Sequence, residues 1–199
     1  MPDLFKTYTD AVRQQKTSPL TRKSRKWFMD MLVSGALQGE WKDVRKDKSV
    51  SVRNTPRIGK MYTYSYNPKH KKTLPYYDKY PLILLADFPE DGDGFYGLNL
   101  HYLHPKARAV LLSRLYNNYS VGSGLDEQTR LKISYNLLQS AGRVKAFKPT
   151  FKRYLTKHIR SSIIEIPAEH WETAMFLPTQ KFIGANSARV WAESKRKIK

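Results

Sequence analysis

The chain has 199 residues, room for one domain with appendages, and 40% of them are hydrophobic, enough to build a core. It has no cysteine, which excludes a disulfide framework, thiolate zinc sites and thiol catalysis, and no apolar run approaches the roughly 20 residues of a membrane span. The net charge of +19 is uneven: residues 1–57 carry thirteen Lys/Arg against six acids (+7), 58–140 ten against seven (+3), and 141–199 thirteen against four (+9).

The opening MPDLFKTYTDAVRQQ lacks the apolar core of a signal peptide, so export is not expected. Residues 3–15 read instead as a short helix with Leu4, Phe5, Tyr8 and Val12 on one side. Pro19 breaks it, and Thr21 is placed to cap a second helix from about Arg22 to Leu37, with Trp27, Phe28, Met31 and Leu32 as its apolar face. Arg22, Lys23, Arg25 and Lys26 crowd its first turn, the wrong sign for a helix N-terminus, an arrangement that calls for an external anion. From Gly39 to Arg57 the chain is polar and without a firm period, and reads as a linker or arm.

The centre changes character. RIGKMYTYSYNP alternates Ile58, Lys60, Tyr62, Tyr64 and Tyr66 with smaller residues, a period-two strand ended by Asn67-Pro68. KHKKTLPYYDKY reads as a long turn, PLILLADF as a strand buried on both faces, PEDGDG as a tight turn and FYGLNLHYL as the next strand. Pro105 then opens a helix with Ala107, Val110, Leu111 and Leu115 on one face. After a Gly/Ser hinge at 120–124, Asp126 is placed to cap a helix to about Ala141, with Gly142 beyond its end. FKPTFKRYLTKHIR reads as a further helix with Phe151, Tyr154, Leu155 and His158 facing in; SSIIEIP as a short strand; PAEHWETAMFLP as a short helix closed by Pro178; and the tail from Ser187 as helical around Val190 and Trp191.

Consecutive strands, a helical excursion and a late returning strand predict an α+β fold: a small antiparallel SH3-like β-barrel or curled sheet with N- and C-terminal helical extensions. The division this implies is a basic helical arm and linker (1–57), a barrel core with inserted helices at about 104–160 (58–184), and a basic helical tail (185–199).

Charge of this size attracts polyanions, because each phosphate contact releases condensed counterions, so nucleic acid or a nucleic-acid-filled assembly is the expected partner. A membrane surface is not, since no basic segment carries a wide apolar face. The candidate phosphate-binding cations fall into four groups: Arg22, Lys23, Arg25 and Lys26; Lys69, Lys71 and Lys72; Lys148, Lys152, Arg153, Lys157 and Arg160 on one face of the expected helix; and Lys195, Arg196 and Lys197. Tyr76 and Tyr77 either offer faces for stacking an unpaired or terminal base, or pack beneath their loop. No base-reading motif accompanies them, so little sequence specificity is expected.

Catalysis has less support. Asp87, Glu90, Asp91 and Asp93, with Asp78 and His101 as neighbours, form the one acidic group that a metal-dependent nuclease could use. Their spacing departs from a calcium loop and suits a solvated hairpin tip. No pair among His70, His101, His104, His158 and His170 has H-x-x-x-H spacing, and His101 reads as a structural, hydrogen-bonded histidine. No cofactor and no resident metal are expected.

MYTYSYNPKHKKTLPYYDKYPLILL, GFYGLNLHYLHP and IPAEHWETAMFLPTQKF…VWAES resemble the DNA end protector family of T-even-type tailed phages, in blocks covering roughly residues 58–116 and 163–194. The resemblance touches Pro68, Lys69, Leu74, Pro75, Tyr76, Tyr77, Asp78, Pro81, Gly97, Leu98, Asn99, His101, Tyr102 and Leu103, none with a catalytic role. It implies a virion component at the head–neck or tail vertex, made in the host cytoplasm, that binds double-stranded DNA ends beside portal or neck proteins and shields them without chemistry of its own. Two other readings stay open: a neck, tail-completion or baseplate adaptor whose basic arms dock acidic subunits, and the metal-dependent nuclease.

Overall fold

The computed structural model describes residues 3–119 and 145–197, so the expected hinge and the helix from Asp126 to Ala141 lie outside the described residues. In chain order the elements are α1 (Leu4–Gln14), α2 (Arg22–Val33), α3 (Trp41–Lys46), β1 (Ser51–Arg53), β2 (Met61–Thr63), β3 (Tyr77–Asp78), β4 (Leu82–Asp87), β5 (Phe95–Asn99), α4 (Pro105–Tyr119), β6 (Phe151–Tyr154), β7 (Ile163–Ile166), α5 (Trp171–Phe176), β8 (Phe182–Ile183) and α6 (Ser187–Arg196).

Six strands form one antiparallel sheet in the order β1-β7-β2-β4-β5-β6, and β3 pairs with β8 in a separate ribbon. The α+β expectation and its antiparallel sheet hold, and no closed barrel is formed among the described residues. The sheet's edges β1 and β6 pair with β7 and β5 and not with each other. The sheet nevertheless curls: the segment after β6 returns to the chain beyond β2, with Ile159 bridging Tyr66 and the Arg160 amide donating to the Ser65 carbonyl at 2.8 Å. Closure is not needed to bury this sheet, since both of its faces are covered. Met61, Leu82, Leu84, Leu98 and Ile166 point to the helices and share a cluster with Phe5, Val12, Phe28, Val44, Leu111 and Met175. The alternate residues Tyr62, Tyr64, Ile83, Leu85, Phe95 and Tyr154 point the other way into a second, tyrosine-rich cluster. The apolar run of β4 is therefore buried on both sides, as its composition predicts.

The N-terminal residues belong to the helix-side core. Asp3 caps α1, and the Phe5 amide donates to the Asp47 carboxylate at 3.0 Å. Burial works against that carboxylate, but hydrogen bonds from Ser49 and from the Phe5 amide outweigh it and hold the carboxyl below its usual range. Thr21 caps α2 in a capping box with Ser24, as expected; the helix then ends at Val33, before Gly35 at φ +73°, and not at Leu37. The stretch 39–57, expected as a linker or arm, holds α3 and β1. Trp41 stacks on Tyr80 with ring centres 4.5 Å apart and donates to Thr63 Oγ1 at 3.0 Å, and β1 continues the sheet beside β7. Tertiary partners supply there the order that local periodicity lacks.

Two further helical readings change. Among the described side chains of α4, Pro105, Arg108, Leu111 and Leu112 are buried, while Val110 is 52% exposed and Leu115 falls outside the described side chains. The segment 148–160 is not a helix: a 3-10 turn (Lys145–Thr150) containing Pro149 leads into β6, and a second 3-10 turn spans Thr156–His158. Pro149 disfavours a continuous helix, and Phe151 and Tyr154 pair as strand residues with Leu98 and Phe95. Gly94 makes the junction possible. At φ +95° a Cβ there would stand 1.8 Å from the Tyr154 carbonyl oxygen.

Candidate nucleic-acid interface

On the face of the sheet away from α1 to α5, beside the end of α6, lies a groove of about 640 Å³. Its floor is aromatic: Tyr66, Tyr102 and Tyr154 line it, with Tyr76 and Tyr77 from the β3 side. Its cations come from three separated segments, Lys69 from the turn after β2, Lys152, Arg153 and Lys157 from β6 and the turn beyond, and Lys197 from the end of α6. The β3–β8 ribbon and α6 bring these segments together, because Tyr76, Tyr102 and Val190 form a third buried cluster with Phe182 and Ala185.

The strand geometry of β6 sorts its charges. Lys152 stands opposite Gly97 and shares a face with Tyr154, whereas Arg153 stands opposite Tyr96 on the alternate face. Arg153 bonds both carboxylate oxygens of Asp91, and Lys157 reaches Asp93 at 3.5 Å, so these two cations tie down the 88–94 turn. Lys152 is different. Its ammonium lies 4.5 Å from the centre of the Tyr102 ring, and burial, with Lys197 as the second cause, pushes its pKa down to about 8. Among the described residues no carboxylate lies within ion-pair distance of Lys69, Lys152 or Lys197.

The remaining predicted cations are not gathered here. Lys71 and Lys72 continue the exposed turn beyond Lys69, Lys148 is exposed before β6, and Arg160 is exposed after it. Lys195 and Arg196 are exposed on the last turn of α6. Arg22, Lys23, Arg25 and Lys26 sit on α2, in the helical layer across the sheet. The anion expected at that helix start is supplied from within. Glu172 accepts from Ser24 Oγ at 2.7 Å and from the Leu20 amide at 2.9 Å. Burial raises the Glu172 carboxyl above its usual range, against the hydrogen bonds that oppose the shift.

Tyr76 is 8% exposed, wedged beside Tyr102 and edge-on to Phe182, so its ring is committed to packing; Tyr77 is half-buried on the groove wall. The floor tyrosines 66, 102 and 154 escaped sequence reasoning as a site, because tertiary folding, with β6 on β5 and the β3–β8 ribbon and α6 beside them, brings them next to the lysines.

His101 is structural, as expected, and fully buried. Its Nδ1 lies 2.7 Å from Asp78 Oδ2, its Nε2 lies 3.3 Å from Thr179 Oγ1, and burial lowers its pKa despite the carboxylate. Neutral imidazole then donates from Nδ1 and accepts at Nε2. Asn99 donates to the same Asp78 oxygen and to the Tyr154 hydroxyl, which links the groove floor to this network. Arg108, unforeseen from sequence, is buried below it and donates to the carbonyls of Leu103, Met175 and His101; burial pulls its pKa down to about 10. Of the acids that a nuclease would need, Asp78 is bonded to His101, Asp91 to Arg153 and Asp93 to Lys157, while Asp87 and Glu90 share the surface of the 88–94 turn with Asp91. Among the described residues no group of three or more His, Asp or Glu is placed to hold a metal ion.

The described residues thus define an α+β protein with α1 to α5 on one face of its sheet and a lysine-rimmed, tyrosine-floored groove, bordered by α6, on the other. Across residues 3–195 the sequence matches the phage T4 terminal DNA protecting protein family, and the chain belongs to that family. Membership includes the N-terminal residues, which the recognisable sequence blocks do not reach. No curated protein and no solved structure matches the chain.

Proposed function

We propose that the protein binds the ends of packaged linear double-stranded DNA through sequence-independent phosphate contacts and shields them from host exonucleases. It acts as a virion component at the head–neck or tail vertex, beside portal or neck subunits, after assembly in the host cytoplasm. The observation that carries this reading is the groove, where Lys69, Lys152 and Lys197 converge while its two lining acids are engaged elsewhere, Asp78 by His101 and Asp93 by Lys157, in a chain of net charge +19. Its family membership supports the same end use. The lysines hold backbone phosphates, each contact releasing counterions, while the body of the protein occupies the space an exonuclease needs at the terminus. Protection of this kind is steric and electrostatic and requires no bond to be made or broken.

The test is exonuclease digestion of a linear duplex with and without the protein, with circular DNA as competitor. Protection that circular DNA fails to compete away supports the reading. Unchanged digestion, with no DNA affinity at physiological salt, assigns the basic surface to an acidic neighbouring subunit instead.

A further inference from the structure

We infer that the groove is a pocket for the terminal phosphomonoester of the DNA, held by Lys152 over the Tyr102 ring together with Lys69 and Lys197. The inference rests on the end-binding reading and names the group that the end presents.

Three observations lead to it. The groove, at about 640 Å³, has the size of a small-ligand cleft (roughly 300–1,000 Å³), too small to admit a duplex and large enough for a terminal nucleotide group. Its three unpaired cations arrive from segments far apart in sequence, an arrangement that solvated surface lysines do not need. Lys152 is also partly removed from water, beside a second lysine and over the Tyr102 ring with no carboxylate in ion-pair distance among the described residues, so it gains most from an anion inside the groove. A phosphomonoester carries about −1.5 to −2 charges at pH 7 and three strong acceptor oxygens. A phosphodiester within the duplex carries a single charge and is flanked by sugars on both sides, so it cannot enter a recess. A chain terminus can. The lining acids do not oppose it: Asp93 is held by Lys157, and Asp78 is buried against His101.

The experiment compares the full-length protein on blunt linear duplexes of one sequence, internally labelled, bearing a 5′-phosphate, a 3′-phosphate or hydroxyls only, with closed circular DNA as the fourth arm. Affinity is measured at fixed salt. One phosphorylated form is expected to bind roughly ten- to a hundredfold more tightly than the hydroxyl form, the range of a charge-assisted contact, and the arm that does so identifies the strand end recognised. Lys152→Met should remove that preference and leave the salt-dependent remainder. Equal affinity for phosphorylated and hydroxyl ends overturns the inference, and the wild-type comparison decides this even if the variant does not fold. Ends preferred over circles regardless of phosphate would sink the pocket and leave end protection standing; no preference for ends removes both.

Discussion

Lys152 places its ammonium 4.5 Å from the centre of the Tyr102 ring, and among the described residues no carboxylate lies within ion-pair distance of it. A cation kept in this position works against stability. Burial, then Lys197, lowers its pKa from 10.5 to about 8 in the folded state. Below pH 8 the folded protein therefore carries the full penalty of a desolvated charge, and the penalty fades as pH rises from about 8 toward the unfolded value. The charged and titratable groups that share the groove with Lys152 are Lys69, His70, Arg153, Lys157, Lys197, Asp78 and Asp93, with the phenols of Tyr66, Tyr76, Tyr77, Tyr102 and Tyr154. Lys152→Met is expected to raise stability at pH 7 by about 1–2 kcal/mol, a figure discounted for residual solvent access. Denaturant titrations at pH 7 and pH 10 should show the gap shrinking at the higher pH, while DNA affinity of the wild type falls through the same window.

Glu172 occupies the anion position at the start of α2. Glu172→Ala leaves the Leu20 amide without its acceptor and the Ser24 hydroxyl with only the Thr21 carbonyl, removes the carboxylate beside Arg25, and is expected to destabilise the protein by roughly 1–3 kcal/mol. Inorganic phosphate or sulfate in millimolar excess should restore part of the loss in the variant and none in the wild type, read as a shift in melting temperature.

These two residues mark how far sequence could go. The odd sign of the α2 first turn was legible, and so was the need for an anion; that the anion is Glu172 was not, because nothing local joins residues 24 and 172. Strand β4 and the helix after Pro105 were legible from an apolar run and a well-placed proline. The 148–160 segment was misread because its lysines and aromatics also fit helical spacing, and only the β5 edge tips it into a strand. That change takes apart the single basic face expected there. Lys152 goes to the groove, and Arg153 goes to Asp91.

Gly94 sits where β5 begins, at φ +95°, with a would-be Cβ 1.8 Å from the Tyr154 carbonyl oxygen. Neither atom can yield without separating β6 from β5. Gly94→Ala is expected to cost roughly 2–4 kcal/mol from combined backbone strain and overpacking. Because β6 carries Lys152 and Tyr154, DNA affinity should fall together with the melting temperature.

Asp91 and Asp93 separate the end-binding reading from a nuclease. Both hold cations at the exposed turn, Asp91 with Arg153 and Asp93 with Lys157. If these acids only restrain cations, Asp91→Ala with Asp93→Ala frees two more charges for phosphate. Affinity for DNA should then rise, and log K should fall more steeply with log salt, by roughly 0.9 per added phosphate contact. A nuclease would behave oppositely: wild-type protein with magnesium or manganese would shorten the DNA, and the double variant would not.

The groove lysines and the α2 cations carry equal formal charge but differ in arrangement. Arg22, Lys23 and Lys26 lie along one exposed helix in the layer across the sheet, whereas Lys69, Lys152 and Lys197 converge on one recess. Replacing either set by methionine or glutamine lowers net charge by the same three units, so long-range attraction to DNA should weaken comparably in both. Protection of ends should not. The groove triple variant is expected to leave linear DNA open to exonuclease at protein concentrations where the α2 triple variant still protects it, once salt is adjusted to match their affinities for circular DNA. Equal protection by the two variants would mean that total charge, and not the groove, holds the end.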